Sequence, residues 1–395
     1  MYRIGNEELE EVRRVIESKS LFRVGVEANG HQNAVLRFER AWGETIGTTY
    51  ALCLSSGGTA ALICALVGLG IGPGDEVIVP AYTWMASALA VCAVGAIPVF
   101  AEIDETMGLD SGDFERLCTP QTKAVLPVHI VGRPANMEGI LNVARPRGIF
   151  VVEDACQADG GSYKGRRLGS WGDAGAFSFN DFKIMSCGEG GALVTNDRTL
   201  YERALVYHDA GITFRNYGQD LSIETFLGQQ YRASELMGAV LLGQLRRLEG
   251  ILRDLRRART RFEEELGALP GLRIAPNNDS NGDCGVVAAL QFDSEKLARQ
   301  FNEYPGVNGL LPIDSGKHVY TNWTPLMEHK VGHHPGVNPF NFPANRELRT
   351  RYSADMCPRT LEILARTVYI HMNPDWTEAE IAARIAVCVE AARGL

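Results

Sequence analysis

Between Tyr50 and Thr195 short apolar runs alternate with helix-forming stretches, and this alternation limits the possible folds most severely. Ala51-Leu52-Cys53-Leu54, Glu76-Val77-Ile78-Val79-Pro80, Ile97-Pro98-Val99-Phe100, Ala124-Val125-Leu126-Pro127-Val128 and Gly148 to Val152 each read as a buried strand. Ala60 to Leu69 and a stretch running to Val94 read as helices between them. Strands without a polar face, joined through helices, predict an α/β fold with a mostly parallel sheet between helices. Ala174 to Phe179 and Gly191 to Thr195 read as two further strands, joined around Lys183.

The flanks read differently. Glu7 to Ser18 is predicted as an amphipathic helix with Leu9, Val12 and Ile16 on one face. A polar, irregular stretch follows from Lys19 to Gln32, then a helix carrying Val35, Leu36, Phe38 and Trp42. Leu236 to Leu266 is long, helical and laced with arginine and glutamate, and reads as a solvated connecting helix. Beyond it lie a strand near Val286 to Leu290, a loop rich in Pro, His and Asn from Asn322 to Asn345, and a final helix from Thr377 to Arg393. A chain of 395 residues exceeds one simple core, so two domains are expected, 1–245 and 246–395.

Charge and composition exclude several function classes. The net charge of −9 argues against general nucleic-acid binding, which needs a basic face. No apolar run reaches membrane-spanning length, and the start of the chain runs into polar Asn6-Glu7-Glu8 without the apolar core of a secretory leader. The nine cysteines sit mostly among apolar residues and form no CxxC pair, so core thiols in a reducing cytoplasm are expected. His333-His334 has no third ligand nearby and reads as a solvated loop rather than a metal site.

Six local features carry chemistry. Lys183 lies in Phe179-Asn180-Asp181-Phe182-Lys183-Ile184-Met185, and an amine among apolar residues can lose its proton near neutral pH and attack a carbonyl. Asp154 closes the run Phe150-Val151-Val152-Glu153 at a strand's carboxyl end, where an acid needs a partner. A protonated ring nitrogen or a structural arginine would serve. Gln157 could reach an oxygen on the same ring. Ser55-Ser56-Gly57-Gly58-Thr59 joins a strand to a helix, a setting that suits either a phosphate or a plain tight turn. Trp84, just past a strand, could stack on a flat ring or serve the core. Ser178 could give its hydroxyl to a phosphate. A Schiff-base lysine beside a carboxylate for a pyridinium nitrogen is what pyridoxal phosphate needs from a protein.

Several stretches carry a wider resemblance. They are Ser-Ser-Gly-Gly-Thr-Ala-Ala-Leu (55–62), Gly-Asp-Glu-Val-Ile-Val-Pro-Ala-Tyr-Thr-Trp (74–84), Pro-Val-His (127–129), Glu-Asp-Ala-Cys-Gln-Ala (153–158), Phe-Ser-Phe-Asn-Asp-Phe-Lys (177–183) and Gly-Glu-Gly-Gly-Ala (188–192). With them the chain resembles the DegT/DnrJ/EryC1/StrS family of fold-type-I, pyridoxal-phosphate-dependent aminotransferases of keto sugars and cyclitols. Residues 101–106 and 160–165 look most like the aminotransferases of 8-amino-octulosonate-type sugars.

The resemblance implies a large domain with a mostly parallel seven-stranded sheet, plus a smaller C-terminal α/β domain. Lys183 would hold the cofactor as a Schiff base and move protons. Asp154 would pair with the pyridinium nitrogen, Trp84 would cover the ring face, and Gln157 would lie near the ring hydroxyl. Gly58, Thr59 and Ser178 would hold the phosphate. His129 would fall near the cofactor or be a structural histidine. The resemblance implies a homodimer with shared sites, and Gln230 stands where many relatives carry an asparagine that reaches the partner's phosphate; the longer side chain either still reaches or loses that contact. The implied reaction moves an amino group from glutamate or glutamine to a keto sugar, through pyridoxamine phosphate, in antibiotic or surface-glycan biosynthesis. Lys183 argues against the sugar dehydratases of the family, which carry histidine there. A cyclitol acceptor and a non-catalytic partner role stay open. Arg23, Tyr82 and Lys317-His318-Val319-Tyr320-Thr321-Asn322-Trp323 are further candidates for gripping a sugar.

Overall fold

The computed structural model describes residues 3–211 and 221–395. The seven sheet-forming runs become β1 (Tyr50–Leu54), β2 (Glu76–Pro80), β3 (Ile97–Ala101), β4 (Thr122–Val125), β5 (Phe150–Asp154) and, after a ribbon of β6 (Ser162–Tyr163) and β7 (Arg166–Arg167), β8 (Ala174–Ser178) and β9 (Gly191–Thr195). Their order across the sheet is β1-β9-β8-β5-β4-β2-β3. Six run parallel, and β9 runs antiparallel to both its neighbours. The carboxyl ends of β1, β2, β5 and β8 therefore share one edge.

Helices α1 (Asn6–Glu17) and α2 (Ala34–Ile46) precede the sheet, and α3 (Gly57–Gly68), α4 (Ala86–Ala93), α5 (Ser111–Leu117), α6 (Met137–Ala144) and α7 (Arg198–His208) come between or after its strands. The helix α3 is apolar and small-residue-rich on all sides, so it is buried on all sides, packed against the sheet, α4 and α7. On the opposite face Trp42 of α2 meets Phe177 and Phe179 edge-on, with ring centroids 4.9 and 5.6 Å apart. Side chains alternate along a strand, so these two phenylalanines turn Ser178 toward the α3 side.

Helix α8 (Glu235–Leu266) leads to the C-terminal part. There β10 (Leu272–Ile274), β11 (Val287–Phe292) and β12 (Thr367–His371) form an antiparallel sheet with β11 central. Helices α9 (Glu295–Glu303), α10 (Thr324–Met327), α11 (Pro358–Ala365) and α12 (Glu378–Arg393) complete it. The final helix starts with a Thr377/Glu380 capping box. Residue 245 falls inside α8, which is unbroken across it.

Two expectations change. The helix α8 is not merely solvated: Leu241, Leu248, Leu252, Leu255 and Phe262 are buried, and it packs against α1, α2 and α12. Its arginines are in part buried too, Arg259 lying 2.9 Å from Asp283. In α1 the expected apolar face turns inward only at Val12, which packs against the core. Leu9 and Ile16 are 61% and 58% exposed, while Glu8 and Glu11 are buried with Val15. Arg247 Nε donates to Glu8 Oε1 at 2.9 Å, Gln244 Nε2 donates to the same oxygen at 3.0 Å, and Arg246 pairs with Glu11. Charged groups with satisfied partners can be buried, and here these acids on α1 face the α8 arginines.

Candidate active site

At the shared strand edge lies a cavity of about 490 Å³. Gly58, Thr59, Trp84, Asp154, Gln157, Ser178 and Lys183 all line it. They are distant in sequence and meet because four parallel strands end together, the usual place for a ligand in such a sheet.

The helix α3 begins at this edge. Gly57 has φ +69, a left-handed conformation that glycine adopts without strain, which suits glycine at this position. A Cβ on Gly58 would lie 3.1 Å from that of Ser178, so the glycine lets the helix start press against the end of β8. Ser56 makes no side-chain cap, so the first-turn N–H groups of this twelve-residue helix keep their capacity for an anion.

Asp154 is 5% exposed and both its oxygens are engaged. Ser87 Oγ donates to Oδ2 at 2.6 Å, and the Cys156 N–H donates to Oδ1 at 3.2 Å. Thr83 Oγ1 lies 2.8 Å from Ser87 Oγ and extends the chain of hydroxyls. Gln157 Oε1 accepts the Val131 N–H at 2.9 Å, which leaves its amide N–H groups as the donors. Val131 itself sits at φ 46, a conformation rare for a β-branched residue, and lines the cavity.

Lys183 lies on the loop between β8 and β9. The Phe179 N–H bonds Gly190 O at 2.7 Å, and the Cys187 N–H bonds Phe179 O at 3.0 Å, closing the loop's base. Ile184 and Met185 are buried, but Phe182 is 82% exposed, so the apolar setting of the lysine is one-sided in this chain. Trp84 stands at the mouth, with Lys317 Nζ 4.7 Å from its ring centroid and the His318 ring at 5.4 Å. Burial, with Lys317 and Lys183 nearby, pushes His318 down to about 4, so its ring is neutral at pH 7. Burial also raises Cys156 well above the usual thiol range, with Asp154 adding to it, so that thiol is unreactive.

A model of the DegT/DnrJ/EryC1/StrS aminotransferase family matches residues 2–308. The chain belongs to that family. GDP-perosamine synthase of Escherichia coli O157:H7 is 38% identical over 239 residues, covering 60% of this chain and 64% of that protein, so the match spans less than two thirds of the relative. Spore coat polysaccharide biosynthesis protein SpsC of Bacillus subtilis (strain 168) is 36% identical over 300 residues, 74% of this chain and 75% of that protein. Among solved structures, DesV of S. venezuelae matches with a TM-score of 0.76 at 28% identity, covering 98% of this chain and 94% of that one.

The other sequence candidates of this DegT/DnrJ/EryC1/StrS protein divide between the cavity and places outside it. Gln230 is exposed and outside the cavity lining. His129 is fully buried behind the site: its Nδ1 accepts the Ala135 N–H at 3.1 Å, so its Nε2 donates to Glu153 at 3.0 Å. It is a structural histidine. Arg23 is held by Glu39 at 2.8 and 3.0 Å and does not line the cavity. From the stretch 317–323, Lys317 and His318 reach the cavity with Tyr82, while Tyr320 and Trp323 are buried in the core. Ser87 escaped the sequence reading. Its one signal is the spacing from Thr83, four residues apart at the start of α4.

Among the described residues no group of three or more His, Cys, Asp or Glu could hold a metal ion, and no helix is long and apolar enough to cross a membrane.

Proposed function

We propose that this chain is a pyridoxal-phosphate-dependent aminotransferase that moves an amino group from L-glutamate or L-glutamine to a keto sugar in amino-sugar biosynthesis. One observation carries the reading: a lysine amine, a hydrogen-bonded carboxylate and an uncapped helix start line the same cavity. That donor set fits the cofactor's aldehyde, ring nitrogen and phosphate. Gly58, Thr59 and Ser178 would hold the phosphate, Asp154 would pair with the ring nitrogen, Gln157 would meet the ring oxygen, and Trp84 would cover the ring. When bound, pyridoxal phosphate supplies a carbonyl that condenses with amines and a ring that accepts the electron pair left by a departing proton.

The chain's own residues do the rest. Lys183 Nζ takes the α-proton of the amino donor and later returns one to the acceptor carbon. Asp154, oriented by Ser87 and the Cys156 N–H, would present its carboxyl to the ring nitrogen. Neutral His318 and Tyr82, whose hydroxyl burial pushes well above the usual tyrosine range, offer uncharged polar groups to an acceptor.

The active form is a homodimer with shared sites, and Gln230 is the residue of each chain that stands where relatives reach toward the partner's phosphate. Exposed Phe182 and Leu227, 82% and 90% accessible, support a further surface that covers this region. The cytoplasm is its compartment, a reading supported by nine free thiols.

Lys183→Ala tests the proposal. It should lower amine transfer by more than about a thousand-fold and abolish the shift in visible absorption on adding L-glutamate. Full activity in that variant rejects the reading.

A further inference from the structure

Behind the lysine loop lies a buried carboxyl that does not line the cavity. Asp159 is 0% exposed. Its Oδ2 accepts the N–H of Met185, two residues past Lys183, at 3.3 Å. Its Oδ1 is buried with no hydrogen-bond partner among the described residues. The next N–H of the loop, that of Ser186, is held by Gln244 Oε1 of α8 at 3.2 Å. Two side-chain acceptors thus hold the limb after Lys183, and of these Asp159 is the one that can change charge. The titratable groups that bear on it are Lys183, Cys156 and Cys284. Burial raises both thiols above the usual range, so they are neutral, and Lys183 is the counter-charge.

We infer that Asp159 is a positioning residue for Lys183, anchoring its loop through the Met185 N–H from a buried site beneath it. This rests on the reading of Lys183 as the reacting amine. A carboxylate with an unpaired oxygen in a dry site is costly. Burial pushes Asp159 up to about 8, opposed by the Met185 N–H and by Lys183. Below about pH 8 the carboxyl is therefore mostly protonated, so no lone buried anion lies beneath the reactive lysine at neutral pH.

The test is the pH dependence of melting for the full-length chain without cofactor, from pH 4.5 to 9. A carboxyl raised in the folded state binds more protons folded than unfolded, so stability falls as pH rises toward about 8 and then levels off. Asp159→Asn should remove that fall, so the melting temperature of the variant relative to wild type climbs from pH 5 to 8.5. Lys183→Met leaves the carboxyl in place but removes its counter-charge. It should move the midpoint of the fall upward by about half to one pH unit. In the loaded enzyme, Asp159→Asn should lower the pH midpoint of the visible absorption band by about one unit.

An unchanged pH slope in Asp159→Asn together with an unmoved midpoint in Lys183→Met overturns the inference. If Asp159→Asn does not fold, the Lys183→Met comparison still decides. An essential Lys183 with an unmoved slope refutes the role of Asp159 alone; a dispensable Lys183 refutes the aminotransferase reading.

Discussion

The two walls of the cavity are built on different plans. On the sheet-edge wall, Asp154 and Gln157 are fixed by bonds of 2.6, 3.2 and 2.9 Å, and the backbone beneath them belongs to β5 and its continuation. On the C-terminal wall, Tyr369 and His371 belong to β12, but Leu310, Ser315, Lys317 and His318 come from turns and loops, and Lys317 and His318 meet the other wall through ring contacts with Trp84. A rigid first wall suits chemistry that must be the same for every substrate. An adaptable second wall suits the choice among acceptors. Asp154→Ala attacks the first wall directly and carries the largest expected effect. It should lower kcat/KM by more than about a thousand-fold, equally for every acceptor, because it removes charge stabilisation used in both half-reactions. A loss confined to one acceptor would break the contrast between the walls.

The same contrast explains what could be read in the sequence. Lys183, Asp154 and the Gly57-Gly58 turn announce themselves locally, since each follows an apolar strand of fixed direction. The seven-strand sheet is legible for the same reason: its strands are buried on both faces and carry no polar alternation to confuse them. Ser87 is not legible, because its role depends on β2 and β5 ending side by side, a relation between distant segments. The outward turn of Leu9 and Ile16 on α1 is hidden likewise. Leu9, Val12 and Ile16 look like a core stripe until Arg246, Arg247 and Gln244 of α8 are brought opposite Glu8 and Glu11. His129 misleads in the other direction. Its motif lies beside the site, yet Glu153 and the Ala135 N–H use both ring nitrogens.

Ser87→Ala sharpens the comparison at intermediate size. A hydrogen bond to a charged group contributes roughly 1.5–3 kcal/mol, so turnover should fall about ten- to a hundred-fold. The fall should again be uniform across acceptors, with the fold and the visible absorption retained. Thr83→Val, which removes the next hydroxyl in the chain, should cost less than Ser87→Ala. Smaller still is the effect expected on the other wall. Lys317→Gln should change KM among keto acceptors by up to about tenfold while leaving the single-turnover half-reaction with L-glutamate within about threefold. A glutamate half-reaction that collapsed with Lys317 would place donor and acceptor recognition on one wall and end the distinction.

The smallest effect concerns stability rather than turnover, and it reports on how dry the second wall is. His318 is lowered from an ordinary 6.5 to about 4, chiefly by burial and then by Lys317 and Lys183. The unfolded chain therefore binds a proton below about 6.5, while the folded chain refuses it until about 4. The stability held through the neutral ring is complete above the unfolded value and is lost as pH falls across that window. His318→Asn does not titrate, so the variant should gain on wild type in melting temperature from pH 6.5 down to 4.5, and show a constant difference from pH 7 to 8. Lys317→Gln removes one of the two cations, which raises the folded value and narrows the window from below. Because burial is the larger cause, most of the window should survive that change. A window that vanished in Lys317→Gln would mean that charge, not desolvation, keeps this wall neutral, and the second wall would then be wetter than its contacts with Trp84 imply.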